Sequence, residues 1–214
     1  MKYSQKEVKD VKSILKSNHQ ESQSYLKGLQ KEIDIHFILN SLTTLNHLIL
    51  TDQHKAHLYS VKLAQVYKYF LVVNKQPLVL LKTELEFIND YFYLLQLRYG
   101  NKLQLEIICD DESRNSVLVP PCSLQLLIEN AVKHNECSNE NPLLIAIVMN
   151  EKYLKVINHI RPKPRAVNST HVGLGNLSAR YKLTCNKDIQ IECDKGMFIV
   201  NLPIIRSYKI VPLN

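Results

Sequence analysis

"VPPCSLQLLIENAVKH", residues 119–134, decides how the second half of this chain is read. Proline costs little at a helix start, where the first amides have no intrahelical partner. The double proline therefore predicts a helix over about residues 121–135. Leu124, Leu127, Ile128 and Ala131 recur at three- and four-residue steps and should face a core. Glu129, Asn130, Lys133 and His134 cannot all be buried with them, so four polar side chains crowd the helix edge. On the plain reading they form a solvated face. Read chemically, a carboxylate is a proton acceptor, a carboxamide a metal ligand and a lysine a counter-charge for phosphate.

Around this helix the apolar period falls towards two. "LQLEI", "LLIAIV", "LKVIN", "IQIEC" and "MFIVNL" predict strands, and Asp194-Lys195-Gly196 predicts a hairpin turn between the last two. "HVGLGNLSARY", residues 171–181, places Gly173 and Gly175 ahead of a helix over about 177–183. Such glycines let backbone approach a ligand, and free amides at a helix start favour phosphate; a loop turn with a cap is the plain alternative. The preceding "HIRPKPRAVNST" has the composition of a mobile lid. A further helix, about 82–99, carries Leu85, Ile88, Tyr91, Phe92 and Leu95 on one face. Helices beside a mixed, largely antiparallel sheet make residues 77–206 an α/β sandwich, with 207–214 as a tail.

The first 99 residues hold one glycine, Gly28, and one proline, Pro77, a helical composition. Val11, Leu15, Asn18, Ser22, Tyr25 and Leu29 follow coiled-coil spacing, which predicts a linker helix over 1–30. In "EIDIHFILNSL", residues 32–42, Glu32, His36 and Asn40 form one polar line along a helix whose other faces are apolar. "TDQHKA", residues 51–56, breaks the pattern before a second helix over 57–73, so 31–76 reads as an antiparallel hairpin. Two short helices cannot bury their apolar faces alone. A dimeric four-helix bundle is the expected solution, with Leu42 and Leu63 in its seam.

Hydrophobic residues make up 45%, enough for a buried core. No apolar run is long enough to span a bilayer, and the first residues lack the apolar centre of a signal peptide, so the chain is expected to be soluble. Cys109, Cys122, Cys137, Cys185 and Cys193 are scattered without metal-ligand spacing and read as reduced thiols of a cytosolic protein. The net charge of +7 comes from lysines interleaved with acids. That argues against direct nucleic-acid binding and suits an anionic nucleotide, an acidic partner or a nearby membrane surface.

Taken in order, "HFILNSL", "LKTELEFINDYFYLLQLRYG", "VPPCSLQLLIENAVKH" and "GLGNLSARY" resemble the cytoplasmic part of LytS/YehU-type sensor histidine kinases, over about residues 30–203. The resemblance implies an α+β protein: a helical hairpin forming a dimeric four-helix bundle, then an ATP-binding domain of the GHKL (Bergerat) fold. It implies a protein histidine kinase of a two-component system, with His36 as phosphoacceptor and Asn40 one turn on to orient it. Glu129 would take or orient the histidine proton, and Asn130 would hold magnesium. Lys133 and His134 would meet phosphate oxygens, while Gly173, Gly175 and Asn176 would approach the triphosphate of ATP. Arg98 matches a family arginine. The implied partners are a second copy of the chain and the receiver domain of a response regulator. The chain would be the cytoplasmic region of an inner-membrane sensor, with membrane contact only through segments upstream.

Two departures stand out. Ile35 and Leu39 replace the proline before and the phenylalanine after the family histidine, and Ile35 implies a more regular helix. Asn158 and Ile160 stand where the family has Asp-x-Gly reading adenine. A neutral carboxamide accepts a hydrogen bond more weakly than a carboxylate, so nucleotide should bind less tightly. A dimeric signalling scaffold that makes little use of ATP is the alternative reading. A kinase or ATPase of this fold acting on another protein, with His36 incidental, is the other.

Overall fold

The computed structural model describes residues 35–73, 76–163 and 172–207. The expected linker helix over 1–30 and most of the lid stretch lie outside them. The described residues fall within one compact unit, Ile33–Asn214.

Helices α1 (Ile35–Thr51) and α2 (Gln53–Val72) form the hairpin. The break between them is narrower than the polar run suggests. Asp52 alone leaves the helical path, and its carboxylate accepts a hydrogen bond from the Lys55 amide at 3.0 Å. A short acceptor satisfying one orphan amide is enough to restart a helix, so α2 begins well before His57.

The two helices bury very different surfaces. Leu39, Leu42, Ile49 and Leu50 of α1 are exposed, whereas α2 buries Ala56, Tyr59, Leu63, Val66 and Tyr69. The next helix, α3 (Leu81–Tyr99), follows the short strand β1 (Val79–Leu80) and packs against α2. The Tyr69 and Phe87 rings stack at 4.0 Å, and Lys62 meets Asp90 at 2.6 Å. The expectation that the hairpin finds cover only in a second copy is thus corrected for α2. Leu63, expected in the dimer seam, is buried inside the chain.

Beyond α3 come β2 (Leu103–Ile108), α4 (Asp111–Ser116), β3 (Val117–Val119), α5 (Ser123–His134), β4 (Leu143–Met149), β5 (Tyr153–His159), α6 (Val172–Cys185), β6 (Gln190–Asp194), β7 (Met197–Pro203) and β8 (Ile205–Arg206). The main sheet has the order β2-β4-β5-β7-β6. β2 and β4 are parallel and the other pairs antiparallel, the mixed, largely antiparallel arrangement expected. Lys195 and Gly196 turn the last hairpin at φ of 47° and 76°, conformations that a two-residue turn of this hand needs. The small sheet β1-β3-β8 and helix α4 were not foreseen. Strands of two or three residues carry no readable period.

Leu124, Leu127, Ile128 and Ala131 of α5 are buried as their spacing predicts. They share the core with Leu143, Ile145 and Ile147 of β4 and Leu154 and Val156 of β5. Helix α6 corrects the sequence expectation. It starts at Val172, so Gly173 and Gly175 lie inside its first turn rather than in a loop before it. Neither glycine is forced into a left-handed conformation, and the remaining amides of a first turn have no intrahelical acceptor in any case.

Candidate active site

Helix α5 is the axis of the site. Glu129 is half-buried, and its Oε1 accepts hydrogen bonds from the Tyr91 hydroxyl at 3.0 Å and from Gln125 Nε2 at 2.7 Å. Gln125 lies one turn back on the same helix, and Tyr91 reaches in from α3. Burial, followed by the charge of Glu129, pushes the Tyr91 phenol well above its ordinary pKa. It therefore remains a proton donor across the physiological range. Two donors on one oxygen fix the rotamer of the carboxylate. Asn130 is half-buried beside it, Lys133 is exposed and His134 is half-buried.

The far end of α5 is tied to the chain after β5. Asn135 is buried; its Nδ2 donates to the Ala131 carbonyl at 2.9 Å and its Oδ1 accepts from the Arg161 amide at 2.8 Å. The Glu136 amide donates to the Arg161 carbonyl at 2.7 Å, and Lys163 Nζ donates to the Val132 carbonyl at 2.8 Å. These bonds bring the end of β5, with Asn158, next to the end of α5. Asn158 is buried and its Nδ2 donates to the His159 carbonyl at 2.8 Å. That bond uses one of the two amide hydrogens and turns Oδ1, the acceptor a nucleobase amino group requires, away from the His159 carbonyl. Ile160 is exposed.

The first turn of α6 meets α5 at Leu126, one turn before Glu129 and Asn130. A Cβ added at Gly173 would stand 3.7 Å from the Leu126 side chain, an ordinary contact, while Gly175 faces open space. Asn176 is half-buried. Glu129, Asn130, Asn158 and the glycine turn are thus arrayed about one helix, whereas Lys133 projects to solvent.

His36 and Asn40 lie on α1. Asn40 is exposed, and its carbonyl accepts from Thr44 Oγ1 at 2.9 Å. Phe37, next to His36, packs edge-on to Tyr67 and Phe70 and lies 5.5 Å from the Tyr91 ring. The start of α1 is therefore seated on the same tyrosine that holds Glu129. Arg98 is exposed, with its guanidinium 5.4 Å from the Tyr99 ring centre.

Three buried residues, Tyr91, Gln125 and Glu84, escaped the sequence reading. Tyr91 counted there only as an apolar face residue. Gln125 sits four residues before Glu129, the helical spacing for a side-chain hydrogen bond, and that was its available signal. Glu84 falls between Leu81 and Ile88 on the apolar stripe of α3 and is completely buried; a carboxylate in such a stripe is itself unusual.

The donors suit a nucleotide with magnesium. A magnesium ion that keeps water and phosphate oxygens needs few protein ligands, and the Asn130 carboxamide oxygen is the one that would be supplied from α5. Among the described residues no group of three or more His, Cys, Asp or Glu side chains could form an all-protein cage for a metal.

Residues 24–103 match the family model for histidine kinase. The sensor protein LytS of Bacillus cereus is 37% identical over 109 residues, 51% of this chain and 18% of that protein. The sensor histidine kinase/phosphatase LytS of Staphylococcus aureus strain MRSA252 is 36% identical over 109 residues, again 51% and 18%. The sensor protein LytS of Staphylococcus epidermidis is 29% identical over 133 residues, 61% of this chain and 22% of that one. The chain thus matches only 18–22% of the length of these curated relatives. Among solved structures, the Acinetobacter baumannii histidine kinase AdeS covers 90% of this chain and 97% of its own at 16% identity and a TM-score of 0.42. Over about half its length the chain is similar to LytS sensor proteins, and the segment matched by the histidine kinase model includes His36, Asn40 and Arg98.

Proposed function

We propose that this chain is the transmitter region of a two-component sensor histidine kinase, which phosphorylates itself on His36 and passes the phosphoryl group to an aspartate of a response regulator. One observation carries the reading. Phe37, adjacent to His36, packs on Tyr91, and Tyr91 holds Glu129, so the acceptor end of the hairpin and the carboxylate helix meet on one side chain.

When bound, magnesium ATP supplies the transferable phosphoryl group. The chain's residues prepare its acceptor. A neutral His36 imidazole nitrogen forms the new nitrogen–phosphorus bond as the bond to the ADP oxygen breaks. Glu129, held by Tyr91 and Gln125, accepts the proton that the imidazole gives up. Asn130 would hold the cation, Asn158 Oδ1 would accept from the adenine amino group, and Gly173, Gly175 and Asn176 in the first turns of α6 would approach the phosphates. Asn40 would orient the imidazole, and Lys133 and His134 would meet phosphate oxygens.

A second copy of the chain fits the exposed apolar side chains on α1, together with Leu58, Val61, Leu71 and Val72 of α2. Among the described residues no helix is long and apolar enough to cross a membrane. Asn158 and the exposed Ile160 favour the second reading, a dimeric scaffold that relays conformation with little use of nucleotide.

Calorimetric titration with magnesium ATP, paired with labelling from γ-labelled ATP, tests the proposal. Acid-labile, base-stable phosphate is expected, and His36→Gln should abolish it while ATP still binds. No binding at millimolar ATP would leave the scaffold. Label persisting in His36→Gln would point to a kinase acting on another group.

A further inference from the structure

Glu84 lies on α3, away from the nucleotide-facing groups, and no step above uses it. It is completely buried and joins α3 to two other elements at once, α2 and the start of α5. Its Oε2 accepts from the Tyr69 hydroxyl of α2 and from the Cys122 amide at 3.0 Å, and its Oε1 accepts from the Leu124 amide at 3.0 Å. Cys122 is the cap residue of α5. It sits at φ 60°, in the left-handed region, and makes no side-chain capping bond of its own. The acceptor that a helix start ordinarily takes from its own cap residue is here supplied by another helix. Arg180, on the glycine-bearing helix α6, closes the cluster by donating from Nη2 to the Pro121 carbonyl at 2.7 Å.

The same helix α3 grips α5 at a second point. Tyr91, seven residues after Glu84 and so about 10 Å along the same face, donates to Glu129. Each grip is in contact with one hairpin helix: Tyr69 of α2 bonds Glu84, and Phe37 of α1 packs on Tyr91. Phe87 lies between the grips, stacked on Tyr69 at 4.0 Å and 6.0 Å from Tyr91. Tightly packed interiors of this kind transmit displacement rather than absorb it.

We infer that Glu84 is a positioning residue: through Tyr69 it ties the second hairpin helix to the start of α5, so that movement of the hairpin is passed to the helix carrying Glu129 and Asn130. The inference rests on the kinase reading for its consequence in catalysis. The linkage itself needs no nucleotide.

The decisive variant is Tyr69→Phe in the full chain, which removes one hydroxyl and keeps the ring on Phe87. Glu84→Gln is the companion, keeping the shape of the side chain while turning one acceptor into a donor that faces other donors. Tyr69→Phe should lower the autophosphorylation rate at saturating ATP about tenfold, the scale of one charge-assisted hydrogen bond. Its KM for ATP should change by less than the rate, because the proposed adenine contact through Asn158 lies on β5, which the bond does not touch. Amide exchange should quicken at Cys122, Leu124 and Glu129 and stay unchanged in β4 and β5. Glu84→Gln should give the same pattern more strongly. Unchanged exchange at those three amides, or an acceleration spread evenly over the sheet, overturns the linkage. If the parent chain neither binds nor uses ATP, the kinase reading falls, and the exchange pattern of Tyr69→Phe alone decides this one.

Discussion

The starts of α2 and α5 solve one problem in opposite ways. Asp52 caps α2 from the preceding residue, at the surface, with a bond three residues long in sequence. Glu84 caps α5 from a different helix, in the core, across separations of 38 and 40 residues. A local cap is assembled whenever its own turn forms, so it helps a helix begin. A distant cap exists only once α3 and α5 have packed, so it reports and enforces tertiary structure. The carboxyl groups differ to match. Burial pushes Glu84 above its ordinary value, while the Lys55 backbone hydrogen bond holds Asp52 below its own.

Removing the buried cap should give the largest effect. Glu84→Ala leaves two amides and a tyrosine hydroxyl without a buried acceptor and should cost about 3–5 kcal/mol of stability in urea unfolding. Glu129→Gln, half-buried on the same helix and able to keep both of its neighbours through its carbonyl oxygen, should cost less than about 1 kcal/mol while abolishing phosphorylation. Equal losses from the two changes would erase the distinction between a glutamate that builds the helix start and one poised for chemistry.

The other end of α5 should respond at an intermediate scale, and in affinity. Asn158→Asp with Ile160→Gly introduces a charged acceptor and removes an exposed side chain. Aspartate has no hydrogen to return to the His159 carbonyl, which Asn158 now supplies. The net tightening of ATP binding by calorimetry should therefore be about fivefold, not the full benefit of a charged acceptor. A double variant that binds no better than the parent would remove Asn158 from the proposed adenine site.

The smallest effect is one of sign. Asp52 has a lowered folded pKa, so its contribution is present above the ordinary value of 3.8 and lost as pH falls through the lowered one. Glu84 has a raised pKa, so stability from this group falls as pH rises above the ordinary 4.5 towards the raised value. Unfolding followed against pH should lose its acid-side slope in Asp52→Asn and its opposite slope in Glu84→Gln. The same change in both variants would show that the two caps share one environment.

Much of the fold was legible because it rests on short-range periodicity. Leu124, Leu127, Ile128 and Ala131 named their buried face, the five main strands named themselves by alternation, and Asp-Lys-Gly named its turn. Boundaries were less legible. In "TDQHKA" the polar run hides that only the capping residue Asp52 leaves the helix while five stay in it, and Gly173 and Gly175 read as a loop although α6 contains them. In the candidate site, Glu129 and Asn130 stood out as polar residues on an apolar helix. Tyr91 and Glu84 did not, because an apolar stripe shows where a face lies but not which atom it touches.

The sequence by itself determined the element types, the inward faces and the set of chemically capable side chains, since each follows from spacing along a few turns or a single strand. Only the tertiary structure decided that α2 finds its cover on α3, that Glu84 caps a helix 38 residues away, and that Phe37 and Glu129 meet on Tyr91. The physical reason is distance along the chain. Propensity and periodicity act over a turn or a strand, whereas a buried hydrogen bond forms between whichever donor and acceptor the packed core leaves no other partner.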